Sequence, residues 1–157
     1  MKKFLFLILS LASLPLFGDI DLRVQNFAKA VNGTADVVST GWKNYGLKVV
    51  ASAEKDATVE FKQMFTFYAG KVYEISGDFS GSGKLFVELH FFNNDNTPYK
   101  VPMKRADAVI DGDDFEVKFD LREFPANDAP RRFKVVFGVA KGGSVLLEDI
   151  EMDMDND

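Results

Sequence analysis

A chain of 157 residues with 24 acidic and 19 basic side chains, one His and no Cys carries a formal charge of −5. That composition excludes a disulfide scaffold, a thiol nucleophile and a zinc–thiolate site, and its acidity argues against nucleic acid as a partner. The length suits one domain, and 16 Phe, four Tyr and one Trp supply a core without disulfide staples.

At the N-terminus, Lys2 and Lys3 precede the apolar run Phe4 to Leu11, and the small residues Ala12 and Ser13 follow. This is a secretory signal pattern. Residues 1–18 are therefore expected to be a signal peptide, with cleavage after Gly18 or nearer Ser13, and residues 19–157 a single domain. The apolar run is interrupted by Ser10, Ser13 and Pro15, and no later stretch approaches the ~20 apolar residues of a membrane span. The expectation is a secreted or periplasmic protein without membrane insertion. Losing Lys2 and Lys3 with the leader makes the exported chain more acidic.

Beyond the leader, only Val24 to Val31 suits a helix, and Asn32-Gly33 ends it within two turns. Period-two alternation governs the rest. It runs through Val59, Phe61, Gln63, Phe65, Phe67, then Tyr73, Ile75, Gly77, Phe79, then Leu85, Val87, Leu89, Phe91. It returns in Phe115, Val117, Phe119 and in Phe133, Val135, Phe137, Val139. These patterns read as half-buried antiparallel strands. The apolar phase slips by one residue between Leu147 and Ile150, at Glu148 and Asp149, which predicts a bulge. Turn chemistry stands between the runs, as in Ser80-Gly81-Ser82-Gly83, Asn93-Asn94-Asp95-Asn96 and Gly142-Gly143. Asp111-Gly112-Asp113-Asp114 reads as a solvated hairpin turn rather than a calcium loop. Roughly eight or nine strands without helical crossovers indicate an all-β, two-sheet antiparallel β-sandwich. The acidic run from Glu148 to Asp157 is expected to fray into solvent.

Four segments in order carry a resemblance: Asn26-Phe27, Gly41-Trp42, the stretch Phe67 to Gly77 with its Ala69-Gly70-Lys71-Val72-Tyr73 hairpin, and Leu147-Glu148-Asp149-Ile150-Glu151-Met152. Together they resemble the galactose-binding-domain-like jelly roll of carbohydrate-binding modules, in the families four, nine and twenty-two group. The resemblance implies glycan binding without turnover, and a structural calcium to which the closing strand contributes an Asp. Asp149 is the matching residue. The acidic residue that follows the N-terminal Asn and Phe in related modules is replaced by Ala28 and Lys29. Related modules also keep a Trp at the position of Trp42 that covers one end of the core, so a packing role is expected for it.

Sugar recognition needs aromatic faces for the C–H surface of a pyranose and planar polar groups for its hydroxyls. In the strand from Leu85, alternation leaves Phe86, Glu88, His90 and Phe92 on the non-core side. Glu74, Ser76 and Asp78 are expected beside them, joined by Glu116, Lys118 and Asp120, forming an aromatic and acidic groove. A loop-edge site is the other place for a sugar, with Tyr45 the stronger contact and Trp42 its neighbour. Tyr99 and Tyr68, at turn edges, could each form a platform. Burial of Phe86 and Phe92 under another part of the chain is the competing reading. A catalytic pairing of Glu88 with Glu74 or Glu116 would need a deeper cleft than this chain builds. No nucleophile elbow or histidine metal motif occurs. The expectation is a binding protein and not an enzyme, with carbohydrate as ligand, or, from a different class, another protein at the same patch.

Overall fold

The computed structural model describes residues 19–155, so the leader expected over residues 1–18 lies outside the described residues. In chain order the strands are β1 (Ile20–Asp21), β2 (Gly33–Gly41), β3 (Asn44–Ala51), β4 (Ala57–Glu60), β5 (Phe65–Thr66) and β6 (Val72–Ser82). They continue with β7 (Leu85–Phe92), β8 (Pro98–Asp107), β9 (Val109–Asp111), β10 (Asp114–Asp120), β11 (Arg132–Val139) and β12 (Ser144–Asp155). The described residues hold no α-helix, and the helical stretch expected from Val24 reduces to a 3-10 turn at Val24–Asn26.

Two antiparallel sheets result. The seven-stranded sheet runs β2-β3-β12-β6-β10-β9, with β1 added to β12; the five-stranded sheet runs β4-β11-β7-β8, with β5 added to β11. Alternation decides what lies between them. Leu47, Val49, Tyr73, Ile75, Phe115, Val117, Leu147 and Met152 face inward from the first sheet. They meet Leu85, Val87, Leu89, Phe91, Phe133, Val135 and Phe137 from the second, and all are dry. Aromatic edges lock the layers, as where Tyr73 and Phe133 cross at 79° with centroids 5.2 Å apart, a contact worth ~0.5–1.5 kcal/mol beyond area burial. The Tyr73 hydroxyl accepts from the Tyr68 N–H at 2.8 Å. Burial pushes that hydroxyl's pKa up to about 12.

The bulge lies where the phase slip puts it. Register between β12 and β6 shifts between Glu148 and Glu151, and Asp149 takes a left-handed φ of 44°. Its carbonyls press on Gly77, where an added Cβ would come within 2.7 Å of the Glu148 oxygen, so only glycine fits opposite the bulge.

Three expectations are corrected. The run from Val59 to Phe67 is two strands, because the chain leaves the sheet between Phe61 and Phe65. The closing strand does not fray at Glu148: β12 stays paired with β6 as far as Asp155. Most consequentially, β6 and β7 do not form a hairpin. The chain crosses from one sheet to the other at Gly83-Lys84, so consecutive strands sit in opposite layers.

Candidate functional site

That crossing divides the groove expected from the sequence. Glu74, Ser76, Asp78, Glu116, Lys118 and Asp120 share the outer face of the seven-stranded sheet. Phe86, Glu88, His90 and Phe92 lie on the outer face of the five-stranded one. The acidic and the aromatic halves therefore face away from each other. Glu88 cannot pair with Glu74 or Glu116 across a substrate, and Lys118 already bridges Glu74 at 3.1 Å and Glu116 at 3.0 Å.

On the five-stranded face, Phe86 is 1% exposed. No loop covers it. Its ring lies on Gly138, where a Cβ would stand 1.9 Å from it, and beneath the guanidinium of Arg105, 3.4 Å from its centroid. His90 Nε2 lies 2.8 Å from Glu88 Oε2, the acid accepting, and Phe92 is half-buried. Lys134, opposite His90, donates to Glu60 at 2.7 Å. The face is occupied by its own side chains, and the sugar platform expected from Phe86 is not there. Tyr99 is also no platform: it is buried, and its hydroxyl donates to the Asp128 carbonyl at 3.0 Å. Tyr68 remains exposed at its turn.

The acidic face holds a hollow of about 590 Å³ lined by Asp78, Asp114, Glu116 and Glu151 among others. Burial, then the charges of Asp149 and Asp114, raise the Asp78 carboxyl above its ordinary value. Carboxylates repelling one another make a poor seat for anionic ligands.

The loop edge is different. Gly41 pairs with Asn44, and Trp42 and Lys43 make the hairpin tip between β2 and β3, with Lys43 at a φ of 64°. Lys43 Nζ stands 4.3 Å from the centroid of the Trp42 indole, and the residue is 86% exposed. The packing role expected for Trp42 is thus overturned: the tip carries it past the end of the core. Tyr45 shares its side of β3 with Leu47 and Val49, but the opposite sheet does not reach it, and it is 48% exposed.

Tyr45 borders a hollow of about 570 Å³. The N-terminal strap from Asp21 to Asn26 lines one side of it and is tied to both sheets. Leu22 N–H donates to Ile150 at 2.8 Å, Ala28 N–H to Glu60 at 2.9 Å, and Lys62 N–H to Asn26 at 2.9 Å. Phe27 then anchors on Phe61, rings edge to face at 4.9 Å. Asp21, Arg23, Gln25, Asn26, Asn44 and Asp149 line the hollow, with Arg23 Nε 3.4 Å from Asp21. The exposed Tyr45 ring thus adjoins amides, carboxylates and a guanidinium, and the exposed Trp42 stands at the tip of the same hairpin. The sequence pointed to Trp42, Tyr45 and Asp149 but not to Asp21, Arg23 or Gln25. The one signal for them was Asn26-Phe27, which marks where the N-terminal strap meets the hairpin.

A calcium ion at Asp149 would find Asp21 as the other carboxylate of this hollow. Calcium takes six to eight oxygens, and Arg23 engages Asp21. Among the described residues no group of three or more His, Asp or Glu is placed to hold a metal. The side chains lining this hollow supply two carboxylates, Asp21 and Asp149.

No protein-family profile matches the chain, and no curated protein matches it. Solved structures do. The CBM22-1 xylan-binding domain from Paenibacillus barcinonensis Xyn10C superposes with a TM-score of 0.54 at 9% identity, over 88% of this chain and 93% of that one. The enzymatically active domain of bacteriophage CBA120 tailspike protein 4 gives 0.57 at 9% identity, over 85% of this chain but 20% of its own length. A Stig cyclase from Fischerella sp. TAU gives 0.53 at 12% identity, over 83% and 85%. The fold is the β-sandwich that carbohydrate-binding modules share with these enzymes.

Proposed function

We propose that the protein binds neutral oligo- or polysaccharide at the loop edge, through Trp42 and Tyr45, and releases it unchanged. The observation that carries this reading is the exposure of the sole Trp at the tip of the β2–β3 hairpin, three residues before Tyr45, which borders a hollow lined by planar amide and carboxylate groups. An indole held in water at 86% exposure gains from covering its face, and a pyranose C–H surface fits it. Asn26, Asn44 and Gln25 offer paired donors and acceptors to hydroxyls, and the guanidinium of Arg23 adds a fixed fork.

The choice of a neutral glycan follows from charge. Arg23 and Lys43 balance Asp21 and Asp149 locally, while the chain as a whole is acidic and disfavours polyanions. That the Paenibacillus domain binds xylan agrees with this class. Binding without turnover is supported by the separation of the acids: the carboxylate pairs imagined for hydrolysis lie on opposite faces of the sandwich. Export by the N-terminal leader to the periplasm or the exterior, where such polymers are met, belongs to the same proposal.

A glycan array probed with the purified protein tests it. The expected result is signal on neutral polysaccharides that is lost in Trp42→Ala and Tyr45→Ala. An array without signal overturns the sugar reading and leaves the exposed rings to a protein partner.

A further inference from the structure

Among the described residues, every long edge strand of the two sheets is guarded except one. On the five-stranded sheet, β8 carries Pro98, Pro102, Lys100 and Lys104 along its length, which blocks strand addition. At the other edge, β4 is covered by the N-terminal strap: Val31 and Thr58 exchange both backbone hydrogen bonds, at 2.8 and 3.1 Å. On the seven-stranded sheet β9 is three residues long. The remaining edge, β2, is nine residues long, has the sequence Gly-Thr-Ala-Asp-Val-Val-Ser-Thr-Gly, and contains no Pro, no Lys and one charge.

The phase of β2 determines what it offers. Ser52 N–H donates to the Asn32 carbonyl at 3.1 Å, and Cα register runs from Gly33 opposite Ala51 to Ser39 opposite Tyr45. In an antiparallel ladder the hydrogen-bonded pairs alternate, so Thr34, Asp36 and Val38 bond to β3 while the N–H and C=O of Ala35, Val37 and Ser39 point away from it. Among the described residues no other backbone group bonds to those three. At the centre, Val37 is 45% exposed.

We propose that this edge docks a second copy of the same chain, β2 against β2 and antiparallel, about a twofold axis through Val37. The strand is self-complementary in that register, as a twofold contact requires. Val37 meets the partner's Val37, Ala35 faces the partner's Ser39, and Asp36 faces the partner's Val38. About six backbone hydrogen bonds close between the outward-pointing groups. Charge selects the register: centring on Asp36 would set two carboxylates directly opposite each other. Lys48, paired with Asp36 across β3, offsets its charge from within each copy. A seam of one strand is small beside the ~1,200 Å² of a stable interface, so the dimer is reversible and depends on concentration.

Sedimentation velocity of the purified protein from ~10 μM to ~1 mM, a range that reveals weak association, tests the pairing. The expected result is a shift from monomer to dimer with rising concentration. Val37→Pro removes an outward N–H without touching a β2–β3 bond, and Val37→Lys leaves the backbone intact while placing like charges on the axis. Both variants are expected to stay monomeric with unchanged circular dichroism. A wild-type monomer at every concentration overturns the proposal and leaves the edge to a strand of another protein. A dimer that persists in Val37→Lys, or in a folded Val37→Pro, overturns it as well.

Discussion

The guanidinium of Arg105 lies 3.4 Å from the centre of the Phe86 ring, while Gly138 lies directly beneath the ring on the neighbouring strand. An aromatic residue that alternation points outward is thereby sealed by one side chain above it and by the absence of one below. The guanidinium also stands 3.8 Å from Asp56, which helps to hold it over the ring.

Arg105→Ala therefore uncovers Phe86. A partly exposed cation–π contact is worth ~0.5–1 kcal/mol, with the packing of the aliphatic stem in addition. The urea midpoint should fall by an amount corresponding to about 1 kcal/mol, and glycan binding at the loop edge should not change. An unaltered midpoint would mean that the stacking contributes nothing.

Gly138→Ala attacks the same packing from the other side. A methyl group placed 1.9 Å from Phe86 must displace the ring or the strand. Such overpacking costs ~1–3 kcal/mol, which denaturant unfolding would measure. A neutral substitution would show that the ring moves aside without cost, and Phe86→Leu in the same background should then recover nothing.

The acid pair at the end of β12 gives stability an unusual pH dependence. A hydrogen bond with Asp19, then burial, raises the Asp153 carboxyl from 3.8 to about 6. A folded-state pKa above the unfolded one means that the folded protein holds the proton more tightly. Its stabilising contribution is complete below the unfolded value near 4 and is lost as pH rises through 6. Between pH 4 and pH 6 this pair alone should make the protein less stable as pH increases, opposite to an ordinary salt-bridged acid. Comparing melting temperatures of wild type and Asp153→Asn across that range isolates the effect: the variant's curve should lack this downward component. Parallel curves would contradict the raised Asp153 carboxyl.

Calcium offers a separate check on the hollow at Asp149. With Asp21 held by Arg23 and, among the described residues, no group of three acids placed to hold a metal, millimolar calcium and an excess of chelator should give the same melting temperature. A ligand selective for the folded state must raise stability. A rise of several degrees would show that backbone carbonyls complete a site the side chains do not.

Much of this architecture is written in the alternation of residues, and its limit is equally physical. Period two assigns each side chain of Leu85–Phe92 to one face or the other, and the dry row Leu85, Val87, Leu89, Phe91 agrees. Alternation does not say which strand lies alongside. A short glycine turn serves a hairpin and a crossover equally well, so Gly83-Lys84 concealed that β6 and β7 belong to different layers. The phase slip at Glu148 and Asp149 was legible because a bulge changes the face of every later residue. The fate of single aromatics was not. Tyr99 lies in a turn-rich stretch yet is buried, because Phe124 meets its ring at 6.0 Å and Asp128 accepts from its hydroxyl. Trp42 reads as core and is exposed, because a hairpin tip has no opposite sheet to meet. Those outcomes depend on where distant loops end, which local pattern does not encode.

The fluorescence of Trp42 tests the central claim most directly, since it is the only Trp in the chain and every change in its emission reports on the loop edge. Titration with the neutral glycan that binds most strongly on the array should give a saturable blue shift. Tyr45→Ala should weaken binding about tenfold or more, at 1.4 kcal/mol per decade, and His90→Ala should leave it intact. Glycan binding that leaves Trp42 emission unchanged, or that is abolished by His90→Ala while Tyr45→Ala is silent, would contradict the account.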